Sequence, residues 1–387
     1  MKEKSYSLND YREDVQRCMC CGLCRNLCST SNLTEWESGS PRGRMQLIKA
    51  LLDEEIQADS YISARIYDCV LCGYCLWRCP SGVRTTDAIK AARASLVEKG
   101  SYPKSLDKLE TELVKNHNLI GFPNTSRTDW VDLMGGQSSV PLKEQAKYVY
   151  FPGCNTAMTK IGMEVAATTA SILNAAQLDW TILGNEEWCC GSPLTLSGKL
   201  SLVKDFAEHN VEAIRHKKAE TLVTNCARCY RTFNQEYQRF IGDLGFKVVH
   251  ITQLLDELIS NGRLKLNEKL PLKVAYHDPC ELGRHMKIYD QPRRVLKAIE
   301  GIELKEFPRN RNTAACCGGG GVLRYTSPGS ALKLGIKRVN EVSCFGVEAI
   351  VSACPICEIN LSEAASQARL GIQIFDISEI VAKVLAL

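Results

Sequence analysis

The sequence predicts an α+β or α/β multidomain protein, in which a mainly helical N-terminal region precedes two tandem α/β units rich in cysteine. The chain has 387 residues, which is enough for two or three domains. From residue 146 onwards, three cysteine landmarks recur after 126, 127 and 128 residues, which indicates a duplication. Within each copy, apolar segments of strand length alternate with helical patterns, which favours a mostly parallel sheet with helices packed against it.

These observations divide the chain into four segments. Residues 1–100 contain nine of the twenty cysteines and mainly helical patterns. Residues 101–145 contain no cysteine and include stretches with Gly, Pro and Ser, so we expect a connecting segment with one or two short helices. The first cysteine-rich unit is predicted over 146–270 and the second over 271–387.

The two units are predicted to hold the same elements in the same order. A strand leads into the first cysteine, a helix follows, and a second strand runs to a Cys-Cys-Gly turn. After another helix, a third strand delivers a Cys-x-x-Cys pair, and a last strand and helix close the unit. The predicted segments are 148–151, 161–176, 202–217, 221–224, 247–250 and 254–259 in the first unit, and 274–276, 291–299, 331–342, 349–352, 372–375 and 377–385 in the second. The cysteines thus follow the carboxyl ends of strands, where ligands gather in parallel sheets.

The twenty cysteines could belong to a disulfide-rich secreted protein or to metal sites. Residues 1–17 are polar and charged, so we expect no signal peptide. Three cysteine pairs are adjacent in the sequence, a poor geometry for bridges, and most others have metal-ligand spacing. We therefore expect reduced thiols in a cytoplasmic protein, bound to the inner face of a membrane only through a partner, since no stretch reaches the ~18 apolar residues of a spanning helix. The mild net charge of +4 predicts no nucleic-acid partner.

Two motifs in the N-terminal region have the spacing of iron–sulfur ligands. Residues 18–28 and 69–80 each contain C-x2-C-x2-C-x3-C, the signature of bacterial two-cluster ferredoxins. The three closely spaced thiolates hold one cubane, and the fourth points towards the other cluster. We therefore predict two [4Fe–4S] cubanes in a ferredoxin-type domain, with the ligands Cys18, Cys21, Cys24 and Cys79 in one and Cys69, Cys72, Cys75 and Cys28 in the other.

Three residues do not follow these patterns. Cys20 is out of register and Cys344 matches no motif, so both are expected to be packed thiols, Cys20 a buried one. Ser29 stands where the first motif often has proline. Because Cys28 is still present, ligation is expected to survive this departure.

Each duplicated unit supplies five cysteines, one more than a cubane or a tetrahedral zinc site requires. Two consecutive cysteines on a turn can bind neighbouring irons of one cluster, and the glycine that follows permits a sharp bend. In the second unit the turn extends over 318–321, where a glycine run could face a cluster or a substrate, or form a flexible loop. The two sets are Cys154, Cys189, Cys190, Cys226 and Cys229, and Cys280, Cys316, Cys317, Cys354 and Cys357.

The doubled pattern resembles the cysteine-rich domains of the D subunit of heterodisulfide reductase and its relatives. Residues 276–285 and 315–321 resemble that branch in detail, and with the ferredoxin-type module the resemblance covers essentially the whole chain. Glu281 departs from the pattern, because family members often carry histidine there. The family also includes the iron–sulfur subunits of glycolate and lactate oxidases, whose second motif commonly lacks the glycine run.

The resemblance implies that each five-cysteine set binds a noncubane [4Fe–4S] cluster, with zinc as an alternative in one set. It implies that a small-molecule disulfide is split between the two clusters, so that the ten cysteines form the catalytic site and the cubanes deliver two electrons. It further implies a partner that exchanges electrons, either a cytochrome b-type membrane subunit or a flavoprotein. The alternative function is electron transfer alone, within a flavin-linked glycolate or lactate dehydrogenase complex; with no G-x-G-x-x-G in the chain, the flavin would lie on another subunit.

Four residues around Cys280 are further candidates. His277 and Asp278 could orient a ligand or move a proton, or could cap the following helix. Arg284 and His285 could contact an anionic substrate, or could form an ordinary surface pair.

Overall fold

The computed structural model describes residues 6–34, 36–136 and 139–385, so residues 1–5 of the polar N-terminal stretch lie outside it. The N-terminal region is helical, as predicted, and its two cysteine motifs lie in loops between short helices. Its longest helix begins directly after the second motif and packs against several of the others. The α-helices are Arg12–Gln16, Ser31–Thr34, Pro41–Leu52, Ser60–Tyr67, Tyr74–Arg78 and Thr85–Glu98, and Leu8–Tyr11 and Glu37–Gly39 are 3₁₀ turns.

The segment between this region and the first unit contains the α-helix Ser105–Asn116 and the 3₁₀ stretch Asn124–Met134. The α-helix buries Leu106, Leu109 and Leu113 along one face, at the helical spacing of three and four residues. The second stretch packs against the first sheet unit through Trp130, which is fully buried. These two elements are therefore packed parts of the structure and not an open linker.

The first unit is a four-stranded parallel sheet covered by helices. Strands β1 (Tyr148–Tyr150), β2 (Trp180–Ile182), β3 (Thr221–Thr224) and β4 (Lys247–His250) lie in the order β2-β1-β3-β4. Strand β2 is fully buried, and the other three are buried except at their first residue, as expected for a parallel sheet covered on both faces. The α-helices are Gly153–Met158, Lys160–Ala175, Ser192–Ser197, Val203–His216, Ala227–Arg231, Gln238–Phe240 and Ile251–Ser260; Gly184–Glu186 is a 3₁₀ turn and Thr232–Tyr237 a π turn.

The second unit repeats this topology. Strands β5 (Leu272–Tyr276), β6 (Ile302–Glu306), β7 (Ala349–Ser352) and β8 (Gln373–Asp376) lie in the order β6-β5-β7-β8, and all pairs are parallel. The equal strand order supports the duplication inferred from the cysteine spacing. The α-helices are Asp290–Ala298, Leu323–Thr326, Pro328–Asn340, Pro355–Gln367 and Ile377–Ala382, and Arg311–Thr313 is a 3₁₀ turn.

The predicted position of the cysteines relative to the strands is confirmed. Cys154 and Cys280 follow β1 and β5, and Cys226 and Cys354 follow β3 and β7. Parallel strands end at one edge of their sheet, so each unit gathers its cysteines at that edge. Within the described residues, we find no helix with the length and apolar character needed to cross a bilayer.

One arginine ties the three regions together. Arg93, in the helix Thr85–Glu98, is fully buried and donates hydrogen bonds to the carbonyl oxygens of Cys69 (2.6 Å), Leu196 (2.6 Å) and Gly321 (2.9 Å). These carbonyls belong to the ferredoxin-type region, the first unit and the second unit. A buried guanidinium is costly unless its N–H groups are satisfied, so these bonds fix the regions relative to one another.

Candidate metal centres

The first predicted ferredoxin-type set lies near the surface. Cys18, Cys21, Cys24 and Cys79 all line one small cavity, although Cys79 is more than fifty residues from the other three in the sequence. Cys21 is exposed and the other three are half-buried. Burial raises the pKa of the Cys18 thiol, and the nearby thiols of Cys20 and Cys79 add to this effect. The structure thus brings the four predicted ligands together.

The second set lies deeper in the molecule. Cys28, Cys69, Cys72 and Cys75 are all buried. Burial raises the pKa of Cys75 well above its usual value, and the thiols of Cys69, Cys72 and Cys28 raise it further. Cys28 therefore sits with the second motif, as the crossed assignment predicts. The Thr85 hydroxyl donates to the Cys75 sulfur at 2.9 Å, and the backbone N–H of Leu71 donates to the Cys69 sulfur at 3.4 Å.

Two expectations about isolated cysteines are wrong. Cys20 is exposed, and its sulfur accepts a hydrogen bond from the Gln46 side chain at 3.1 Å. Its backbone has φ +53°, and it lines the same cavity as the four predicted ligands. Cys344 is also exposed, in the turn after the helix Pro328–Asn340, where Val342 and Val347 are the buried residues instead.

The five cysteines of the first unit line one mainly apolar pocket. All five are buried, and all line one cavity of about 370 Å³. The sulfurs of Cys154 and Cys189 are 3.8 Å apart. The opposite wall comes from the second unit and includes Gly319–Gly321, Tyr325 and Ile356. The cavity is therefore a space between the two units, with the cysteines of only one of them on its surface.

The five cysteines of the second unit are packed more tightly. The sulfurs of Cys317 and Cys357 are 3.3 Å apart, and the Cys280 and Cys316 thiols are also in contact. All five are buried, and none of them lines the 370 Å³ cavity. The N–H groups of Gly318 and Gly319 each donate to a sulfur of the Cys316–Cys317 turn at 3.4 Å.

The four cysteine sets form a chain of neighbours. Cys24 of the first ferredoxin-type set lies near Cys28 of the second, and their charges influence each other. Cys72 of the second set is likewise close enough to Cys280 and Cys316 of the second unit for their charges to influence each other. The last link in this series of neighbours is the contact between the thiol of Cys354 in the second unit and the thiol of Cys226 in the first unit. That contact lowers the pKa of Cys354 well below its usual value, with a further contribution from Cys357.

The glycine run is a close-packed turn. A Cβ atom at Gly321, where φ is +63°, would lie 2.5 Å from the backbone of Val70 in the ferredoxin-type region. A Cβ at Gly319 would lie 2.9 Å from the backbone carbonyl of Ile356. Bare backbone here lets the turn contact the second ferredoxin-type motif on one side and line the pocket on the other.

Arg284 and His285 do not form a surface pair. Arg284 is buried and donates to the carbonyl oxygens of Cys72 at 2.7 Å and Ala314 at 2.5 Å. The His285 ring bonds to the carbonyl oxygen of Leu71 at 3.1 Å. Both residues therefore dock the second ferredoxin-type loop onto the second unit.

Asp278 and His277 are buried, and each binds an arginine. Asp278 forms an ion pair with Arg293 at 2.8 Å, so it does not cap a helix that follows directly. Arg338 donates to Nδ1 of His277 at 3.1 Å. Burial lowers the pKa of His277 to about 3, and the charge of Arg338 contributes. A ring nitrogen of His277 and the sulfurs of Cys317 and Cys357 lie within 4.8 Å of one another.

Glu281, the departure from the family pattern, is a buried link between the units. Its carboxylate pairs with Arg228 at 2.7 Å and with Arg231 at 2.8 Å. Burial opposes its ionisation, but the two arginines hold the pKa of Glu281 well below its usual range. Arg228 also lines the 370 Å³ cavity, so Glu281 neutralises a positive charge at the pocket wall.

Sequence reasoning did not find the pocket residues outside the cysteine motifs. Arg228 lies inside the Cys226-x-x-Cys229 motif, so its position was a usable signal. Arg324 and Tyr325 follow the glycine run and line the same cavity, which only the packing of the two units reveals. Burial raises the pKa of Tyr325, and the Cys154 and Cys189 thiols contribute, so its hydroxyl remains a hydrogen-bond donor at neutral pH.

The donor sets fit iron–sulfur clusters. Thiolate is the usual ligand of these clusters, and each set of sulfurs is gathered at one place by loops and strand ends. Backbone and hydroxyl donors already point at Cys69, Cys75, Cys316 and Cys317, the kind of hydrogen bonds that surround cluster sulfurs. The chain would thus hold cubanes in the ferredoxin-type region and further clusters in the two duplicated units.

Comparisons with known proteins agree with this arrangement. Residues 14–83 match the 4Fe-4S dicluster domain, and residues 148–234 and 274–362 each match the cysteine-rich domain with the CCG motif. The chain is 34% identical to the D subunit of the dihydromethanophenazine:CoB–CoM heterodisulfide reductase of Methanosarcina acetivorans, over 83% of this chain and 78% of that protein. It is 32% identical to the D subunit of the same enzyme from Methanosarcina barkeri, over 97% and 95%.

A more distant relative is the EtfAB:quinone oxidoreductase of Syntrophomonas wolfei, 27% identical over 96% of this chain and 58% of that protein. The two Methanosarcina proteins are named as subunits, and the similarity to the M. barkeri protein extends over almost the whole chain. The chain therefore belongs to the family of heterodisulfide reductase D subunits and is an iron–sulfur oxidoreductase subunit.

Proposed function

We propose that this chain is the catalytic subunit of a disulfide reductase, and that the 370 Å³ cavity between its two units binds the disulfide. The same site would oxidise thiols in the reverse direction. The observation that carries the proposal is the complete five-cysteine set on the cavity surface, next to a second complete set. A subunit that only relays electrons has no need of a pocket that opens onto its last cysteine set.

The reaction requires two electrons and two protons. In R–S–S–R′ + 2e⁻ + 2H⁺ → RSH + R′SH, the sulfur–sulfur bond breaks and each sulfur gains one electron and one proton. Iron–sulfur clusters bound to the four sets would supply electrons one at a time. Because the four sets lie next to one another, we infer that electrons enter at the exposed first ferredoxin-type set and reduce the disulfide at the pocket.

The pocket walls favour a ligand with an apolar body. Leu119, Ile120 and Ile356 line it and exclude water from the sulfurs. Arg228 is paired with Glu281, which also pairs with Arg231, so the positive charge of Arg228 is partly offset. Arg324 and Tyr325 lie at the more open side, where Tyr325 is 37% exposed. We infer that they donate hydrogen bonds to polar groups of the disulfide.

A partner must exchange electrons with the first ferredoxin-type set. Its ligands are the most exposed of the four sets, with Cys21 exposed and Cys18, Cys24 and Cys79 half-buried. We propose that this partner is a cytochrome b-type subunit or a flavoprotein. The relationship to an EtfAB:quinone oxidoreductase supports the flavoprotein alternative.

The test is a turnover assay on anaerobically reconstituted protein. Reduced viologen dye is the electron source, and small aromatic and aliphatic disulfides are offered in parallel. We expect dye oxidation that depends on the disulfide, with two dye molecules used per disulfide. Cys154→Ser should abolish it, because Cys154 lines the pocket, whereas Cys344→Ser, an exposed cysteine outside all sets, should not.

Thiol addition to the oxidised protein gives a second readout. A thiol that enters the pocket should produce a new EPR signal, and Cys154→Ser should not show it. If cluster-loaded protein oxidises the dye with none of the disulfides offered, and thiol addition gives no new EPR signal, electron relay would be supported instead.

A further inference from the structure

His277 lies beside the second cysteine set, in a position that suggests a metal ligand. It follows β5 and is 1% exposed. One of its ring nitrogens and the sulfurs of Cys317 and Cys357 lie within 4.8 Å of one another. One histidine and two cysteines at such distances resemble part of a zinc site. The hydrogen bonds around the ring lead to a different assignment.

Arg338 determines which ring nitrogen carries the proton. Its Nε donates to Nδ1 of His277 at 3.1 Å. A guanidinium has donors only, so Nδ1 must be the acceptor, and the proton of the ring lies on Nε2. Arg338 is fully buried and is held in place by Glu341 at 2.6 Å, the carbonyl of Arg309 at 3.0 Å and the Phe307 ring at 3.6 Å.

The Nε2–H group is buried and has no hydrogen-bond partner among the described residues. An unsatisfied buried N–H costs about 1–3 kcal/mol, so a partner is expected when the site is loaded. The sulfurs of Cys317 and Cys357 are acceptors that lie within 4.8 Å of a nitrogen of this ring. A protonated Nε2 cannot bind a metal, but it can donate to a thiolate.

We propose that His277 is a positioning residue whose Nε2–H donates a hydrogen bond to a sulfur of the second set, and that it stays outside the metal coordination. This inference rests on the proposed cluster in the second unit. The five cysteines then suffice as ligands. Hydrogen bonds to sulfur withdraw charge from a cluster and raise its reduction potential. The N–H groups of Gly318 and Gly319 donate to the same turn, so His277 extends an existing set of donors.

The wild-type protein provides the first test. In protein labelled with ¹⁵N-histidine and reconstituted anaerobically, pulsed EPR of the second-unit cluster should show only a weak nitrogen coupling. It should also show an exchangeable proton close to the cluster. A strong coupling, typical of a nitrogen bound directly to iron, would overturn the proposal. This measurement needs no variant and is independent of folding.

Variants give the second test. His277→Phe keeps an aromatic ring next to Phe307 but has no donor, so the cluster should be retained with its midpoint potential shifted to a more negative value. His277→Gln offers an amide N–H and should restore the potential towards that of the wild type. Retained iron with an unchanged potential in His277→Phe would contradict the proposal, and loss of the metal from His277→Phe would identify His277 as a ligand.

The same samples separate this inference from the proposed function. Wild-type protein that holds zinc in the second unit would defeat the proposed cluster and this inference together. A different result would defeat this inference alone: the wild-type protein holds the cluster and reduces disulfides, but the cluster has the same midpoint potential in His277→Phe as in the wild type.

Discussion

The hydroxyl of Ser29 accepts a hydrogen bond from the backbone N–H of Cys316, with 3.1 Å between the nitrogen and the oxygen. Ser29 follows the last cysteine of the first ferredoxin-type motif, and Cys316 begins the Cys-Cys-Gly turn of the second unit. Both residues are buried. The residue at which the first motif departs from its usual proline is therefore the one that binds the turn, and proline could not do so, since it has no side-chain acceptor.

Replacement of Ser29 by alanine should destabilise the protein. The N–H of Cys316 would be buried without an acceptor, which costs about 1–3 kcal/mol. We expect a lower apparent melting temperature in Ser29→Ala, measured anaerobically on loaded protein. Ser343→Ala is the matched control, because Ser343 is exposed and bonds only within its own turn. Equal melting temperatures for the two variants would show that the Ser29 bond contributes nothing.

Two neighbouring glycines should respond differently to alanine. In Gly321→Ala the new Cβ would lie 2.5 Å from the Val70 backbone, at a residue with φ +63°, so the two regions must separate. In Gly320→Ala the new Cβ would lie 3.2 Å from the Arg228 side chain and 3.3 Å from the Val70 carbonyl oxygen, which are tight contacts but not overlaps. We expect Gly321→Ala to lose about 2 kcal/mol or more and Gly320→Ala less than about 1 kcal/mol. Limited proteolysis between the regions measures the difference, and equal susceptibility would contradict the close approach.

The ligand assignment in the first motif can be tested by metal content. Cys20 is exposed and bonded to Gln46, and it lines the cavity of the first set together with Cys18, Cys21 and Cys24. The C-x2-C-x2-C spacing assigns Cys21 and Cys24 to the cluster and leaves Cys20 out. Cys20→Ser should retain the full iron content of the wild type. Cys24→Ser should lose up to about four irons, the content of one cubane. Loss of a cluster in Cys20→Ser, with none lost in Cys24→Ser, would reverse the assignment.

His250 should make the fold sensitive to acid. Burial lowers the pKa of His250 to about 4, and both ring nitrogens are bonded, Nδ1 to Thr252 and Nε2 to the carbonyl of Asn225. The unfolded chain binds this proton near pH 6.5, so the stability that the neutral ring contributes is present above that pH and is lost as the pH falls towards 4. At pH 5 the loss is about 2 kcal/mol.

The comparison is between wild-type protein and His250→Asn, in which asparagine keeps an N-cap for the helix Ile251–Ser260. Between pH 7 and pH 5, the apparent melting temperature of the wild type should fall more steeply than that of the variant. Parallel curves would show that the His250 ring does not titrate in this range on unfolding.

Much of the architecture could be predicted because its signals are local. The alternation of strands and helices predicted both sheets, and the equal spacing around Cys154 and Cys280 predicted that they match. Long-range docking could not be predicted in this way. Arg284 donates a hydrogen bond to the carbonyl of Cys72, more than two hundred residues away in the sequence. Because the acceptor is a backbone group, which every residue has, no sequence pattern marks this contact. Likewise, only the packing of the units shows that the pocket opens onto the first five-cysteine set.

The iron and acid-labile sulfide content of anaerobically reconstituted wild-type protein tests the central assignment, that eighteen cysteine thiolates hold clusters at four places. Four [4Fe–4S] clusters predict about sixteen irons and about sixteen sulfides per chain, with no zinc. A content of about eight irons together with zinc would contradict clusters in the duplicated units.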